Sequence, residues 1–561
     1  MNFSLSPPRQ APRKRRSVLL PVLALAALAI AIAVPIARAR AMRPTISAIE
    51  PPLGEPGATL VVHGKHFGRE RGDGRVEFDG AAPTASSYLL WSDDRIEVRI
   101  PLYADSSLVR VTTPAGRSNA RMFMSRALLP SMPSGSTGQA LGPTIDSLSS
   151  ESGAIGGLLT IRGLNFGTNR DGSSVLFSWI GEVSAQVKSD ESGHGYVSPQ
   201  DAFGEYESWS DKEIRVRIPD GSVSGGIAIK TEKGLSPVRY FQIVDTPGTK
   251  SYLQRKTYAL SNFVTVSRVR SSGQNALYLW MPFPAETPYQ RGVKALGRSN
   301  EPLIPDYRGL SVYRLADLAD DKLVTITQDH LVQVYGVETD IKPERVKQPA
   351  DPVPRLYTTL TAPDQLVPSA DPAIVAFALK AAGREKNPYR LAQAILASLG
   401  QAVAFDARAS YESPIKALSA GRGDSWDLAI LYAAALRAAG VPSVPVVGVV
   451  MDDSRRAWNH AWAEFYVYGF GWVPVDPALM SGATIGNFVP PFEDRSHYFG
   501  NMDDRHIAFS RGLASVDKIN PDGRTVSASR RYSFQNIFEE ASGGLSAYTS
   551  FWSDVEITGV Y

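Results

Sequence analysis

The sequence predicts a multidomain α+β chain in which several β domains precede an α+β core. Three observations carry that prediction. The chain has 561 residues, which is more than one hydrophobic core usually serves. Its first half contains an internal repeat with strand-like alternation, and its second half changes to helical spacing of apolar residues. Hydrophobic residues make up 43% and charged residues 20%, as in ordinary globular proteins.

The first 43 residues have the composition of an export leader. They hold eight of the 59 Lys and Arg residues and no acidic residue. An apolar run, 18–37, follows the basic block, and small-x-small motifs suited to cleavage follow at 37–39 and 39–41. The run is also long enough to span a bilayer. Residues 1–43 are therefore predicted to be a signal peptide or an N-terminal membrane anchor. Either would place the rest of the chain in the periplasm or at the cell surface, in the second case anchored to the inner membrane.

Charge and cysteine content exclude several classes of function. Without the leader, 51 basic side chains stand against 56 acidic ones. The pI near 8.7 therefore comes from the leader, and nucleic acid is not predicted as a partner. The chain has no cysteine. Disulfides, thiolate metal sites and a cysteine nucleophile are excluded, so each domain must be stabilised by its own core.

Two segments of the first half align with each other. The first contains PTISAIEP, LVVHGKHFG and WSDDRIEVRIP, and the second contains PTIDSLSS, LTIRGLNFG and WSDKEIRVRIP. Phe67 and Phe166 are 99 residues apart but Trp91 and Trp209 are 118 apart, so the second copy has a 19-residue insertion before its tryptophan. Alternating apolar residues in both copies predict strands. The motifs resemble the IPT/TIG family, which implies two immunoglobulin-like β-sandwiches, at 44–124 and 143–244.

The second half begins with a further β-rich domain, predicted at 251–348 from runs such as FVTVSRV, ALYLWMPFP and LVQVYGVE. Apolar spacing then becomes helical over 374–381 and 391–399. The segment GRGDSWDLAILYAAALRAAGVPSVPVVGV predicts a helix capped by Asp424 and ended by Gly440, followed by a strand. The next segment, WNHAWAEFYVYGFGWVPVDP, alternates like a β-hairpin.

Three motifs in this segment resemble the transglutaminase-like superfamily. That family has G-D-C at a helix start, H-A-W on the next strand and G-W-x-x-x-D-P on the one after. The corresponding residues here are Gly423-Asp424-Ser425, His460-Ala461-Trp462 and Gly471-Trp472 with Asp476-Pro477. The resemblance implies a papain-like/transglutaminase-like α+β core at 357–511, followed by a C-terminal tail at 512–561. It also implies a catalytic triad of Ser425, His460 and Asp476, with serine in place of the family's cysteine.

The serine leaves two functions open. A thiol at a helix N-terminus beside an imidazolium ionises near neutral pH, whereas an alcohol does not. The favoured interpretation is a degenerate enzyme that acts as a binding or scaffold module for a protein or peptide ligand at the cell envelope. The alternative is an active acyl transferase or peptidase, performing protein cross-linking or peptide hydrolysis. It would need His460 as a general base for Ser425 and a formed oxyanion hole.

A second group of polar residues lies downstream of the triad and consists of His497, Asp503, Asp504 and His506. Their spacing matches no metal-ligand pattern, so they are predicted to lie in a loop without a metal. The sequence contains neither a P-loop nor a dinucleotide fingerprint. No cofactor is therefore predicted.

Overall fold

The computed structural model describes residues 43–561 except 52, 55–56, 79–80, 102–103, 105–106, 126–141, 171, 180–194, 350–352, 410, 412, 514–515, 527–531 and 535–537. The predicted leader, apart from its last residue, and most of the predicted insertion lie outside the described residues. Within them, no helix is both long and apolar enough for a membrane span. The chain divides into two compact units, Met1–Gly138 and Gln139–Tyr561.

The described part of the first unit is a β-sandwich. Its strands are β1 (Thr45–Glu50), β2 (Leu53–Gly54), β3 (Thr59–Lys65), β4 (Arg75–Phe78), β5 (Tyr88–Trp91), β6 (Arg95–Arg99), β7 (Ser107–Thr113), β8 (Gly116–Arg117) and β9 (Arg121–Ser125). One sheet has the order β1-β3-β6-β5, and the other has β2-β9-β7-β4 with β8 beside β7. Alternate residues of β3 and β6, such as Leu60 and Val98, are fully buried between the sheets.

The second unit begins with a second sandwich. Its strands are β10 (Thr144–Leu148), β11 (Ser152–Gly153), β12 (Leu158–Leu164), β13 (Ser174–Trp179), β14 (Tyr196–Val197), β15 (Tyr206–Trp209), β16 (Glu213–Arg217), β17 (Ser222–Thr231), β18 (Gly234–Leu235) and β19 (Arg239–Ile243). The sheet β10-β12-β16-β15 repeats the order of β1-β3-β6-β5, and the second sheet is β11-β19-β17-β13-β14 with β18 beside β17. The predicted pair of sandwiches is confirmed.

The repeated phenylalanine and tryptophan have the same structural role in both sandwiches. The indole N–H of Trp91 donates to the carbonyl oxygen of Phe67 over 3.1 Å, and that of Trp209 donates to Phe166 over 3.2 Å. Both phenylalanine rings are buried. In both sandwiches the hydrogen bond therefore joins the strand that ends in the tryptophan to the segment, just after β3 or β12, that holds the phenylalanine.

A third, β-rich domain is built on one very long strand. Its first strands are β20 (Gly248–Pro282), β21 (Gln290–Arg298), β22 (Leu310–Ala316) and β23 (Val324–Ile341). The sheet is completed by strands from the far end of the chain, which are defined below with the tail. The predicted β-rich domain at 251–348 is therefore only part of this sheet.

The core that follows has helices on one side of an antiparallel sheet. The helices are α1 (Arg355–Thr361), α2 (Pro372–Ala382), α3 (Pro388–Ala402), α4 (Pro414–Ala420), α5 (Ser425–Ala438) and α6 (Pro477–Met480). The strands are β24 (Ala404–Phe405), β25 (Arg422–Gly423), β26 (Ser443–Met451), β27 (Ala457–Val467), β28 (Gly471–Val475) and β29 (His506–Arg511). The sheet order is β28-β27-β26-β29, while β24 and β25 form a separate parallel pair. The predicted hairpin of β27 and β28 is confirmed.

The predicted tail at 512–561 contributes strands to the sheet of the third domain. They are β30 (Arg524–Val526), β31 (Glu539–Trp552) and β32 (Glu556–Val560). β31 and β32 pair with β20, and the full sheet order is β21-β23-β20-β31-β30 with β22 and β32 beside β20. Two ends of the unit, about 270 residues apart in sequence, thus meet in one sheet.

Helix α5 positions the candidate nucleophile and is the central helix of the core. Asp424 caps it in a capping box, in which its carboxylate accepts from the Asp427 N–H over 3.0 Å and the Asp427 carboxylate accepts from the Asp424 N–H over 3.2 Å. The helix ends before Gly440, whose φ of 83° is readily adopted by glycine. Its residues from Ser425 to Arg437 are buried, because α5 packs between the other helices and strands β26 and β27.

Two glycine-to-alanine substitutions are expected to change stability in opposite directions. Gly448, on β26 opposite His460, has no room for a methyl group, because a Cβ would lie 1.9 Å from the carbonyl oxygen of Ile507. Gly448→Ala should therefore lower the midpoint of urea unfolding, at a cost of roughly 2–3 kcal/mol. Gly400 is exposed in α3 with only Ser481 nearby, at 4.0 Å. Gly400→Ala should stabilise the protein by about 0.5–1 kcal/mol. Shifts of the urea midpoint with the same sign in both variants would contradict the packing of β26 against β29.

Candidate active site

The three predicted triad residues come together at one end of the core sheet. Ser425 begins α5, His460 lies on β27, and Asp476 follows β28 and caps α6. The His460 Nε2 atom is 2.7 Å from the Asp476 Oδ2 atom. All three residues are buried, with 7%, 1% and 0% of their surfaces exposed. The helix start and the two strands therefore bring the predicted side chains into one buried site.

The Ser425 hydroxyl lies against the backbone of β27. Its oxygen accepts a hydrogen bond from the Ala461 N–H over 3.3 Å. Within the described part of the chain, this is the only hydrogen bond of that hydroxyl, so none joins it to the His460 ring. The hydroxyl nevertheless sits beside the peptide that carries His460, at the N-terminal, partially positive end of α5.

The orientation of His460 follows from strand geometry. Alternate residues of a strand point to the same face, so His460 and Trp462 project together. Their rings are stacked, with centroids 6.3 Å apart and an interplanar angle of 22°. Trp462 therefore forms a wall of the site, as a fully buried side chain.

A second histidine completes the site, contrary to the sequence-based expectation. His506 is not in a loop: it is the first residue of β29 and is fully buried. Its Nε2 atom is 3.2 Å from Asp476 Oδ2, and its Nδ1 atom is 2.9 Å from Asp503 Oδ1. The expectation was wrong because β29 reaches the site by pairing with β26, a contact that residue spacing does not reveal.

The other members of that downstream group have separate places. Asp503 is buried and accepts from the Tyr498 hydroxyl over 2.6 Å. Asp504 is buried and binds the Lys256 ammonium group of β20 over 2.5 Å. His497 is exposed on the 3-10 helix Arg495–Tyr498. Of the four residues, only Asp503 and His506 therefore belong to the site.

The site is strongly charged despite its burial. Burial opposes ionisation of Asp476, yet His460 and His506 hold the pKa of this carboxyl well below its ordinary value. Burial also opposes the charged form of His506, but Asp503 and Asp476 raise its pKa to about 9. Burial likewise disfavours the charged form of Asp503, whose pKa His506 and the Tyr498 hydroxyl nevertheless lower. At neutral pH the arrangement is therefore two carboxylates around an imidazolium.

His460, Asp476 and His506 could also be considered as metal ligands, since their ligand atoms lie within 4.8 Å of one another. In a tetrahedral zinc site, ligands about 2.0–2.1 Å from the metal would be about 3.3 Å apart. The 2.7 Å separation of His460 Nε2 and Asp476 Oδ2 is shorter than that and is a normal hydrogen-bond length. The geometry therefore fits a hydrogen-bonded network better than a metal centre.

An aromatic contact covers the start of α5, and residues that precede this helix in the chain line an open cavity. The Trp426 ring meets the Phe534 ring edge-on, with centroids 4.9 Å apart, and Phe534 comes from the segment before β31. An open cavity of about 510 Å³ lies at the segment leading into Ser425 and is lined by Asp406, Arg408, Ala409, Tyr411 and Arg422. The start of α5 is thus covered by an aromatic pair, and the polar cavity is lined by residues earlier in the chain.

Comparison with known proteins assigns three of the domains. Residues 375–477 match the model of the transglutaminase-like superfamily, and residues 44–122 and 143–236 match that of the IPT/TIG domain. A cyclomaltodextrin glucanotransferase from Paenibacillus macerans is 33% identical over 78 residues, which are 14% of this chain and 11% of that protein. The chain thus spans about a tenth of that relative's length.

Solved structures resemble the chain only loosely. A candidate cysteine protease from Cytophaga hutchinsonii has 14% identity and a TM-score of 0.32, with coverage of 52% of this chain and 99% of that one. The periplasmic domain of TgpA from Pseudomonas aeruginosa has 14% identity and a TM-score of 0.22, with coverage of 40% and 87%. The family models, together with the motifs and the fold, assign the domains: this chain carries two IPT/TIG domains followed by a domain of the transglutaminase-like superfamily.

Proposed function

We propose that the chain is an exported protein whose transglutaminase-like domain is a degenerate enzyme. It retains the site of the family but binds a peptide segment of an envelope protein instead of cleaving or cross-linking it. The observation that carries this proposal is the state of Ser425, whose hydroxyl accepts from the Ala461 N–H and has no hydrogen bond to His460 in the described structure.

The chemistry of the serine supports this proposal. An alcohol must lose its proton during attack, so its proton needs a base within hydrogen-bond reach. His460 is the only neighbouring imidazole on β27, and its Nε2 atom is turned to Asp476. A thiolate would need no proton transfer at that moment, because it is already ionised. The serine therefore removes activation from a site that otherwise keeps the features a cysteine would use.

The wild-type protein is expected to show no amide hydrolysis and no transamidation. The full chain would be assayed for ammonia release from glutamine peptides, amine incorporation and peptide cleavage, beside Ser425→Ala and His460→Ala. The alternative function, an acyl transferase or peptidase with a Ser425, His460 and Asp476 triad, requires turnover that disappears in both variants. Turnover that persists in both would come from a contaminant and would leave the degenerate site in place.

A peptide ligand is supported by the open cavity lined by residues that precede Ser425 in the chain. The Arg408 and Arg422 guanidinium groups line it, and only Asp406 supplies a carboxylate there. This balance favours an acidic peptide or a free C-terminal carboxylate. Binding of such peptides should weaken in Arg408→Gln and should fall as salt concentration rises.

Export is supported by the basic block and apolar run of residues 1–43. We expect the bulk of the chain to be digested by protease in spheroplasts but protected in intact cells if it is periplasmic. Full-length protein in the cytosolic fraction would contradict export. Mass spectrometry of the N-terminus would separate a cleaved signal peptide from an inner-membrane anchor.

A further inference from the structure

The bonding of His506 is unusual because both of its ring nitrogens face carboxylate oxygens. Nε2 lies 3.2 Å from Asp476 Oδ2, and Nδ1 lies 2.9 Å from Asp503 Oδ1. An ionised carboxylate only accepts hydrogen bonds, so both nitrogens must carry a proton. With both carboxylates ionised, this geometry requires a buried imidazolium.

Asp476 is held by three donors around its two oxygens. Oδ2 accepts from His460 Nε2 over 2.7 Å and from His506 Nε2 over 3.2 Å, while Oδ1 accepts from the Leu479 N–H over 2.9 Å. Because the carboxylate is an acceptor, His460 must carry its proton on Nε2. The Nδ1 atom of His460 is then the ring nitrogen without a proton.

We propose that His506 is a positioning residue: a buried imidazolium bridging Asp476 and Asp503, which fixes the Asp476 carboxylate toward His460. This inference concerns the same site as the proposed function. It rests on that proposal only in taking position 425 as the nucleophile position. It assigns no contact between His506 and a ligand. Its role is to set the rotamer of Asp476, and through it the tautomer and orientation of His460.

The surrounding charged groups leave this bridge intact. Asp503 is fixed by the Tyr498 hydroxyl at 2.6 Å and by the Arg505 N–H at 2.8 Å. The Arg505 guanidinium pairs with Asp453 at 2.7 Å, and Asp504 pairs with Lys256 at 2.5 Å. The cation that balances Asp476 and Asp503 is therefore His506.

The first test uses the wild-type full chain and needs no substitution. Its seven histidines would be labelled with ¹⁵N and observed by NMR at pH 7.5. We expect one imidazole with protons on both nitrogens, at a pH where an ordinary histidine is mostly neutral. The signal would be assigned by its loss in His506→Gln or its change in Asp503→Asn. A spectrum with only neutral imidazoles at pH 7.5 would overturn the proposal.

The second test separates positioning from charge. In a Ser425→Cys background, the pH midpoint of alkylation by iodoacetamide would be compared in His506→Ala and His506→Gln. We expect the midpoint to rise by about one unit with alanine. Glutamine should restore most of the shift, because its amide N–H can still donate to Asp476 although the positive charge is gone. Exposed His497 supplies the control, His497→Gln, which should leave the midpoint unchanged.

The alkylation midpoints of the His506 variants decide whether His506 has a positioning role. Equal shifts in the alanine and glutamine variants would mean that His506 acts through its charge alone, which overturns the positioning role. No shift in a folded His506→Ala protein would also overturn it. An ordinary midpoint in the Ser425→Cys parent would instead contradict the part of the proposed function in which the site lacks only the sulfur atom, while the wild-type NMR measurement would still decide the state of His506.

Discussion

Substitution of Ser425 by cysteine is expected to create a reactive thiol that ionises well below the ordinary cysteine pKa of about 8.5. Position 425 is the first residue of α5, so the helix N-terminus favours a thiolate there. The His460 imidazole, hydrogen-bonded to Asp476, is carried by the peptide against which the side chain at position 425 lies. We expect a midpoint between about pH 4 and 7.5 when iodoacetamide alkylation is followed by intact mass. Because the natural chain has no cysteine, the new thiol would be the only one observed.

The matched control for this measurement is Ser419→Cys. Ser419 is exposed near the C-terminal end of α4, where the helix dipole disfavours an anion. Its thiol should titrate near the ordinary value. The comparison uses the pH midpoint and not the absolute rate, since burial of position 425 and the Phe534 contact also slow entry of the reagent. A Ser425→Cys midpoint equal to that of the control would show that the site has lost more than its sulfur atom.

The features that the sequence predicted are those that depend on residues close together in the chain. Asp424 and Gly440 mark the two ends of α5, because capping and a left-handed C-terminal residue depend on a few neighbouring residues. The repeated motifs and their alternating apolar residues predicted two sandwiches, and the repeated tryptophan and phenylalanine make the same hydrogen bond in each. The family motifs predicted that Ser425, His460 and Asp476 would meet.

The missed features depend on pairing between distant segments. His506 reaches Asp476 only because β29 joins β26, with Val450 opposite His506 in the ladder. Its signal in the sequence was the alternating run HIAFSR, which marks a buried strand and not a loop. The strand partner of the tail is set in the same way, since β31 pairs with β20 at Val264 opposite Trp552. Strand registers of this kind are set by packing across a sheet, so no short motif encodes them.

Replacement of Asp476 by asparagine is expected to destabilise the protein by about 3–5 kcal/mol, the usual cost of removing one partner from a buried ion pair. Asp476 is fully buried, and without its charge His506 would keep only Asp503 as a counterion. The midpoint of urea unfolding at pH 7 would measure the loss. The control is Asp146→Asn, which removes an exposed carboxylate on β10 and should change stability by less than about 0.5 kcal/mol.

The pH dependence of stability should identify the cause of that loss. A histidine whose pKa rises on folding contributes stability that is complete below its unfolded pKa of about 6.5 and is lost as pH rises through its folded pKa. For His506 the folded pKa is about 9, so its contribution in the wild type should decline between about pH 6.5 and 9. Asp476→Asn removes one of the two carboxylates that raise this pKa, so the decline should be smaller in the variant. Urea midpoints at pH 6, 7.5 and 9 would give both slopes. Equal slopes in wild type and Asp476→Asn would show that Asp476 does not stabilise the His506 cation, even if the variant is less stable at every pH.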